Sequence, residues 1–420
     1  MDTPRREPPA HAAHALTAFD LNLRHLRGLL AVREHGSISA AAIAVNLSQP
    51  ALTQGILKIE NQLSEVLFER RSDGIVANAT GKLVLERAQA SLAHLAAGAR
   101  LLAGPAFEVD RRLTMTQLRA FLGLLKAGSF AAAATELKLS DAAVHRAVRE
   151  LEEALGRKLV ERRGRGVHVN HAGRRFGRSC RLAVAELQAA FSELGLDPHN
   201  PIIAVGTTPL ARAFLVPEAM ALMVAERFPA GFRVSEGSWG ELVETLRDGV
   251  IDLIVGELPP DDVPDLVKLP LYEVAPVVVG GRQHPLARQK APSVATLASY
   301  PWILAPENSP LRLEWERLFP VSRPDVPVEC GSIMIIGRLL TSSEMLTLAM
   351  PDQVALQIRT GLLARIGEPL AGSRPTIGVT MRRSWRPTRA QRRFLDLMRE
   401  VSTSLGADAT RKPLIEARWI

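Results

Sequence analysis

The N-terminal half of the chain is written twice. Leu26 corresponds to Leu118, Gly36-Ser37 to Gly128-Ser129, and Ala40-Ala41-Ala42 to Ala132-Ala133-Ala134. Leu47-Ser48 then corresponds to Leu139-Ser140, Glu60 to Glu152, and Glu69-Arg70-Arg71 to Glu161-Arg162-Arg163. Every pair is separated by 92 residues without a gap. A fixed period means that one structural unit is reused, so any fold that accounts for residues 26–74 must also account for 118–166.

The local signals inside the unit are helical. Leu26, Leu29, Leu30 and Val32 recur at helical spacing up to His35-Gly36, and glycine is the residue type that ends helices in a left-handed conformation. Ser37 and Ser39 are candidate N-caps for a short helix over Ala40–Ala44, whose small side chains permit a close crossing. Ser48 opens a third helix with Pro50 in its first turn, where proline is tolerated. Leu52, Ile56, Ile59 and Leu63 mark its inner face, and Gln49, Thr53, Gln54 and Lys58 its outer face. A packed short helix, a tight turn and a second helix that offers amides and hydroxyls form a helix-turn-helix pattern suited to base edges in a groove. Residues 67–76 read as a hairpin wing turning at Asp73-Gly74, with Arg70 and Arg71 placed for phosphates.

The expected DNA contacts of the first copy are therefore Ser48, Gln49, Pro50, Thr53, Gln54, Lys58, Arg70 and Arg71. Those of the second are Ser140, Asp141, His145, Arg146, Arg149, Arg162, Arg163 and Arg165. The copies differ in charge. Residues 157–181 hold nine Lys/Arg against one acid, whereas 65–89 hold four against four. Phosphate affinity grows with the number of phosphates neutralised, so the second copy is the stronger electrostatic clamp. Its Asp141 stands where the first has Gln49, and a carboxylate repels phosphate but accepts from cytosine N4. Each copy ends in a long helix. Val84, Ala88, Leu92, Leu95, Ala99 and Leu102 line one seam, and Phe176, Cys180, Val184, Leu187, Phe191 and Leu194 line the other at the same spacing.

The order Ser48-Gln49-Pro50-Ala51-Leu52-Thr53-Gln54, Ile59-Glu60, Leu67-Phe68-Glu69-Arg70 resembles the signature of the LysR-type transcriptional regulators. The resemblance implies that the long helix after the wing is a dimerisation linker, and that the chain assembles as a homodimer or homotetramer. With two copies per chain, a dimer is expected to carry four winged modules and to cover a composite operator.

From Asn200 the composition changes to apolar strands alternating with helices. Strands are expected at 201–206, 232–235, 249–255, 271–279, 302–305, 345–349 and 377–381, with helices near 215–228, 238–246, 311–318, 333–340 and 388–401. This alternation predicts a parallel sheet covered on both faces. Gly249–Leu253 and His284-Pro285-Leu286 resemble the two-lobed, periplasmic-binding-protein-like effector domain of the same family. The fold class is then α/β multidomain: a tail at 1–19, winged helix-turn-helix units with linker helices at 20–105 and 112–197, an effector domain at 201–403 and a tail at 404–420. Ligands in such sheets sit at the carboxyl ends of strands against helix N-termini. The residues meeting that condition are Thr207, Thr208, Ser238, Trp239, Asn308, Ser309 and Ser332. Their hydroxyls and amides suit a carboxylate or a polyol, and Trp239 offers a face to a ring. A passage at 335–355 resembles regulators of sugar or aromatic-acid catabolism, which adds those chemistries for the effector.

A chain of 420 residues with 47% hydrophobic residues has ample material for several cores, and its formal charge of +8 favours a polyanionic partner. No GxSxG, phosphate-cradling glycine loop or His/Cys/Asp constellation points to an enzyme, and Cys180 and Cys330 form neither a disulfide framework nor a metal site. No cofactor and no metal is expected. Neither a signal peptide nor a membrane-spanning run is read, so the expected compartment is cytoplasmic. The reading is a sequence-specific, effector-responsive DNA-binding regulator whose partners are a double-stranded operator and a small molecule. One alternative stays open: a cytoplasmic ligand-binding and oligomerisation protein in which only one winged copy contacts DNA.

Overall fold

In the computed structural model, the repeat becomes two matched sets of elements. The structure describes all residues except 1–15, 73, 164–165, 198–199, 308, 371, 373, 405–409 and 415–420. The chain forms two units, Met1–Pro201 and Ile202–Ile420.

The first set comprises α1 (Leu23–His35), α2 (Ile38–Ala44), α3 (Gln49–Leu63), a hairpin of β1 (Phe68–Arg71) and β2 (Gly74–Ala77), and the long α4 (Ala79–Ala103). A short α5 (Val109–Arg112) follows, which the sequence pattern did not reveal. The second set is α6 (Met115–Ala127), α7 (Phe130–Leu137), α8 (Asp141–Leu155), β3 (Val160–Arg163), β4 (Gly166–Val169) and α9 (His171–Glu193). Gly36 and Gly128 end α1 and α6 at φ 64° and 72°, the left-handed region that glycine adopts without steric cost. Residues 18 and 19, expected in a tail, belong with Asp20 to a turn of 3-10 helix, with Ala18 fully buried.

The same three devices hold each hairpin to its helices. The Glu60 carboxylate accepts from Leu67 N at 2.8 Å, and Glu152 accepts from Leu159 N at 2.8 Å and Val160 N at 3.1 Å. Asn78 caps α4 and donates from its amide to Val66 O, and Asn170 caps α9 and donates to Lys158 O. Gly81 and Gly173 sit so close to the carbonyls of Leu67 and Leu159 that neither position has space for a side chain. The Glu pair of the repeat is thus structural: it supplies the acceptors that the first backbone N–H groups of each hairpin need.

The two seams do not wait for a second chain. The most extensive packing between any two elements is α4 against α9. Val84, Ala88, Leu92, Leu95 and Ala99 are buried in one core together with Phe176, Cys180, Val184, Leu187 and Phe191. Arg87 Nη1 meets Glu186 Oε2 at 2.9 Å across this contact, and Gly98 lies against Ser179 and Phe176. Low-numbered residues of α4 meet high-numbered residues of α9, so the helices run antiparallel. The implied dimerisation helix is satisfied within the chain.

The second unit corrects the expected parallel sheet. It holds two sheets, and both are mixed rather than parallel. The first has the order β15-β8-β14-β7-β5-β6 and contains β5 (Ile202–Thr207), β6 (Gly231–Glu236), β7 (Leu253–Glu257), β8 (Leu266–Val274), β14 (Thr376–Arg382) and β15 (Arg411–Pro413). The second has the order β11-β10-β12-β9-β13 and contains β9 (Val277–Gly281), β10 (Trp302–Leu304), β11 (Val328–Glu329), β12 (Leu346–Ala349) and β13 (Leu363–Ile366). In the first, β5 pairs parallel with β6 and β7, while β14 pairs antiparallel with β7 and β8. In the second, β10 pairs parallel with β11 and β12, while β9 pairs antiparallel with β12 and β13. Of the helices, α11 (Trp239–Arg247) and α16 (Arg389–Ser404) pack on the first sheet, with α10 (Leu215–Ala225) against α16; α13 (Pro310–Leu318), α14 (Ile333–Thr341) and α15 (Pro351–Arg359) pack on the second, and α12 (Val294–Ala298) leads into β10.

The single strand expected at 271–279 is two strands, β8 and β9, broken at Ala275-Pro276 where the chain passes from one sheet to the other. Pro270 is absorbed by a β-bulge, since Tyr272 pairs with Ile377 but Pro270 with Gly378. The segment expected as a C-terminal tail supplies β15, an edge strand on β8.

Candidate nucleic-acid interface and ligand cleft

The outward face of α3 is set by its cap and its buried stripe. Ser48 Oγ accepts from Ala51 N at 3.3 Å, and Pro50 sits in the first turn. With Leu52, Ile56, Ile59 and Leu63 buried, Gln49, Gln54 and Lys58 are exposed beside Ser48 and Pro50. Thr53 is half-buried and donates its hydroxyl to Gln49 O at 2.9 Å. Leu57 also stands on this face, 51% exposed. The sequence reading missed it because a leucine beside the apolar stripe passes as core. An exposed leucine there is suited to a thymine methyl. Arg70 and Arg71 are exposed on β1, Arg71 with Glu69 at 3.6 Å.

The equivalent face of α8 carries different chemistry. Ser140 Oγ accepts from Ala143 N at 3.2 Å. Asp141 Oδ2 lies 3.6 Å from His145 Nε2, and the His145 ring stacks on Phe130 with centroids 3.5 Å apart. Arg146 and Arg149 are exposed one and four residues further on. Arg162 and Arg163 lie on β3 opposite Val167 and Gly166, and Arg165 lies outside the described residues. Several cations of the basic stretch are engaged locally: Lys158 pairs with Glu152 at 2.8 Å, and Arg174 donates to Val169 O at 2.6 Å.

In the second unit, the residues expected to bind a ligand fall where parallel strands end. Thr207 ends β5 and Thr208 follows it, Ser238 and Trp239 follow β6, Ser309 follows β10 and Ser332 follows β11; Asn308 lies outside the described residues. Several are already occupied. Thr207 and Thr208 are buried, and Thr208 Oγ1 donates to Glu257 Oε2 at 2.6 Å. Ser238 and Glu241 form a capping box on α11, which holds the Glu241 carboxyl below its ordinary range through its bonds to Ser238. Ser309 caps α13 through Leu311 N at 3.3 Å. Ser332 heads α14 without a side-chain cap bond. Trp239 is half-buried against the cluster of Leu242, Leu246 and Ile251.

Three side chains at this end of the unit were not anticipated. Tyr272 OH donates to Asp352 Oδ2 at 2.6 Å, and Arg411 of β15 pairs with the same carboxylate. Burial, followed by the Asp352 charge, pushes the Tyr272 phenol well above its ordinary value. Asp352 is the second residue of α15, and its neighbour Gln353 donates to Pro209 O at 3.1 Å. These bonds tie α15 of one sheet to β8, β15 and the β5 loop of the other. They join residues 59 to 144 positions apart, which no local pattern reveals.

The description "Bacterial regulatory helix-turn-helix protein, lysR family" matches twice, at residues 23–82 and 115–174, and "LysR substrate binding domain" matches residues 197–403. The chain belongs to the LysR-type transcriptional regulators. It is similar to the HTH-type transcriptional regulator GalR of Pseudomonas putida, 29% identical over 388 residues that cover 91% of this chain and 98% of that one. It is also similar to the regulator PcaQ of Agrobacterium fabrum, 26% identical over 303 residues, 71% of this chain and 97% of that one. Among solved structures, a full-length OxyR variant from Pseudomonas aeruginosa aligns with TM-score 0.54 at 18% identity over 73% of this chain and 99% of that one. ArgP from Mycobacterium tuberculosis aligns with TM-score 0.55 at 18% identity over 69% and 97%. The family assignment accounts for the helix-turn-helix match in both copies and for the effector region as one LysR-type regulator. Among the described residues no single helix is long and apolar enough to cross a membrane, and no His/Cys/Asp/Glu group is arranged to hold a metal.

Proposed function

We propose that both helix-turn-helix copies of this LysR-type regulator contact operator DNA, as tandem winged units at 20–105 and 112–197, and that residues 201–403 form a two-lobed, periplasmic-binding-protein-like effector domain. The observation that carries the first part is that α3 and α8 both keep a buried inner stripe and an exposed polar outer face. In copy one the reading residues are Ser48, Gln49, Pro50, Thr53, Gln54 and Lys58, with Arg70 and Arg71 on phosphates. In copy two they are Ser140, Asp141, His145, Arg146 and Arg149, with Arg162, Arg163 and Arg165 on phosphates. The effector is a small carboxylate, sugar or aromatic acid held where β5, β6, β10 and β11 end, by Thr207, Thr208, Ser238, Trp239, Asn308, Ser309 and Ser332. Helix N-termini there favour an anion or a polar ligand. Effector binding shifts the balance between arrangements of the two sheets, and the protein acts in the cytoplasm by binding, without catalysis. Higher assembly as a homodimer or homotetramer runs through surfaces other than the α4/α9 contact.

A gel-shift titration on the DNA upstream of the protein's own gene, at two salt concentrations, tests this. A specific shift that weakens steeply with salt supports it. Retention of full specificity when Gln49 and Thr53, or alternatively Arg146 and Arg149, are replaced by alanine would show that the affected copy does not read bases.

A further inference from the structure

We infer that one chain is by itself a complete two-headed operator reader, and that its operator is two unlike half-sites in fixed order rather than a palindrome. This rests on the proposal that both copies contact DNA.

The first support is symmetry inside the chain. The turn at 18–20 packs on α6 and α9, and α5 at 109–112 packs on α1 and α4. Shifted by the 92-residue period, these two segments are the same part of the repeat. Each copy therefore lends the other the same piece, and α4 and α9 cross antiparallel between them. Reciprocal exchange around a two-fold axis is how two identical subunits pair through an isologous interface. Here both partners lie on one chain, and both apolar seams are buried in a single core.

The second support is that the seam favours unlike partners. Arg87 of α4 faces Glu186 of α9, with Glu193 at 3.9 Å. One period away, the position of Glu186 is His94 in α4, and that of Arg87 is Ser179 in α9. Pairing α4 with another α4 would set Arg87 against His94. Pairing α9 with another α9 would bury Glu186 against Ser179. Both leave a charge in the seam without its opposite, which costs more than the pair contributes. The short connection from Ala103 to Val109 also holds the right partner at high effective concentration, which favours the pairing within one chain.

The third support is the difference between the two faces. The α3 face offers amides, a hydroxyl and Leu57, which match adenine edges and thymine methyls. The α8 face offers Asp141 tied to His145, then Arg146 and Arg149, which match cytosine N4 and guanine O6/N7. One half-site is therefore A·T-leaning and the other G·C-leaning.

The test selects binders from a random-sequence duplex pool with the full-length protein, then measures the mass of the complex on the enriched duplex. A motif of two unlike halves is expected, and at saturation as many duplexes as chains in the complex, whether or not chains associate through other surfaces. Gln49→Ala/Thr53→Ala should degenerate only the A·T-leaning half, and Arg146→Ala/Arg149→Ala only the other, each weakening binding about tenfold or more. Mixing the two double variants should restore nothing. A palindromic motif, two chains for each duplex at saturation, or recovery on mixing overturns the inference. Recovery would mean that copies pair between chains. If no sequence is enriched, the DNA-reading proposal falls with it, an outcome distinct from the other three.

Discussion

Arg87 and Glu186, 99 residues apart in the chain, meet at 2.9 Å inside the contact between α4 and α9, with their side chains only 8% and 9% exposed. Removing Glu186 takes the nearest carboxylate from a buried guanidinium, whose contact with Glu193 is longer, at 3.9 Å. Glu186→Leu is expected to lower stability by about 3–5 kcal/mol. Arg87→Met/Glu186→Leu should recover most of that loss, because a packed apolar pair replaces a desolvated ionic one. Urea unfolding of the wild type, the single and the double variant gives the comparison. A double variant no more stable than Glu186→Leu would refute the assignment.

Gly98 of α4 lies tight against Ser179 and Phe176 of α9. A methyl group there would lie 2.5 Å from Ser179 Cβ and 3.3 Å from Phe176 Cδ2. Gly98→Ala should therefore destabilise by about 1–3 kcal/mol, despite the better helix propensity of alanine. Adding Ser179→Gly should return part of the loss by making space. Thermal melts of both variants decide it, and a stabilised Gly98→Ala would show that α4 and α9 are further apart.

Glu152 anchors the second hairpin. Glu152→Leu leaves the N–H groups of Leu159 and Val160 without their acceptor and should cost about 1–3 kcal/mol. Glu152→Gln keeps one acceptor oxygen and should cost less. Hydrogen exchange at Leu159 and Val160 is the direct readout, and unchanged protection in Glu152→Leu would rule the anchor out.

His284 must be neutral to do what it does. Its Nδ1 accepts from Leu286 N at 3.1 Å while Nε2 donates to Glu344 O at 3.1 Å, and burial holds its pKa below 6.5. His25 is likewise lowered, by burial, then Lys58 and Arg24. A lowered folded-state value means that the unfolded chain takes up the proton first. Stability is then complete above about 6.5 and falls as pH drops below it. His284→Asn preserves a side-chain acceptor for Leu286 N and removes the titration. Urea midpoints between about pH 8 and about pH 5 should fall less for this variant than for the wild type. Equal slopes would count against the role.

Asp141 distinguishes the α8 face from that of α3. Asp141→Gln installs the residue of the first copy and frees His145 from its carboxylate partner. The preferred base at that position should move from cytosine toward adenine, with discrimination changing by about 1–3 kcal/mol. Competition gel shifts with single-base operator variants measure it, and an unchanged preference would place Asp141 off the bases.

The local features were legible because their causes are local. Capping serines, terminating glycines and the apolar stripe of α3 act within a few residues, and each repeats one period later. The strand at 266–274 was obscured by Pro270, whose effect is cancelled by a bulge visible only in the pairing with β14. His284-Pro285-Leu286 stood out as family likeness, and the structure supplies its reason: a histidine cap on a 3-10 turn at 285–288. Tyr272, Asp352 and Arg411 escaped notice because an isolated Tyr, Asp and Arg carry no spacing signal.

The sequence by itself determined the repeated unit, the chemistry of its two outward faces and the family. It also placed two apolar seams on long helices. Such a seam states that something must cover it, but hydrophobic burial is non-directional and names no partner. Only the tertiary structure decided that α4 and α9 cover each other, antiparallel, within one chain. That choice lies in the few directional contacts along the seam: Arg87 opposite Glu186, and Gly98 opposite Ser179.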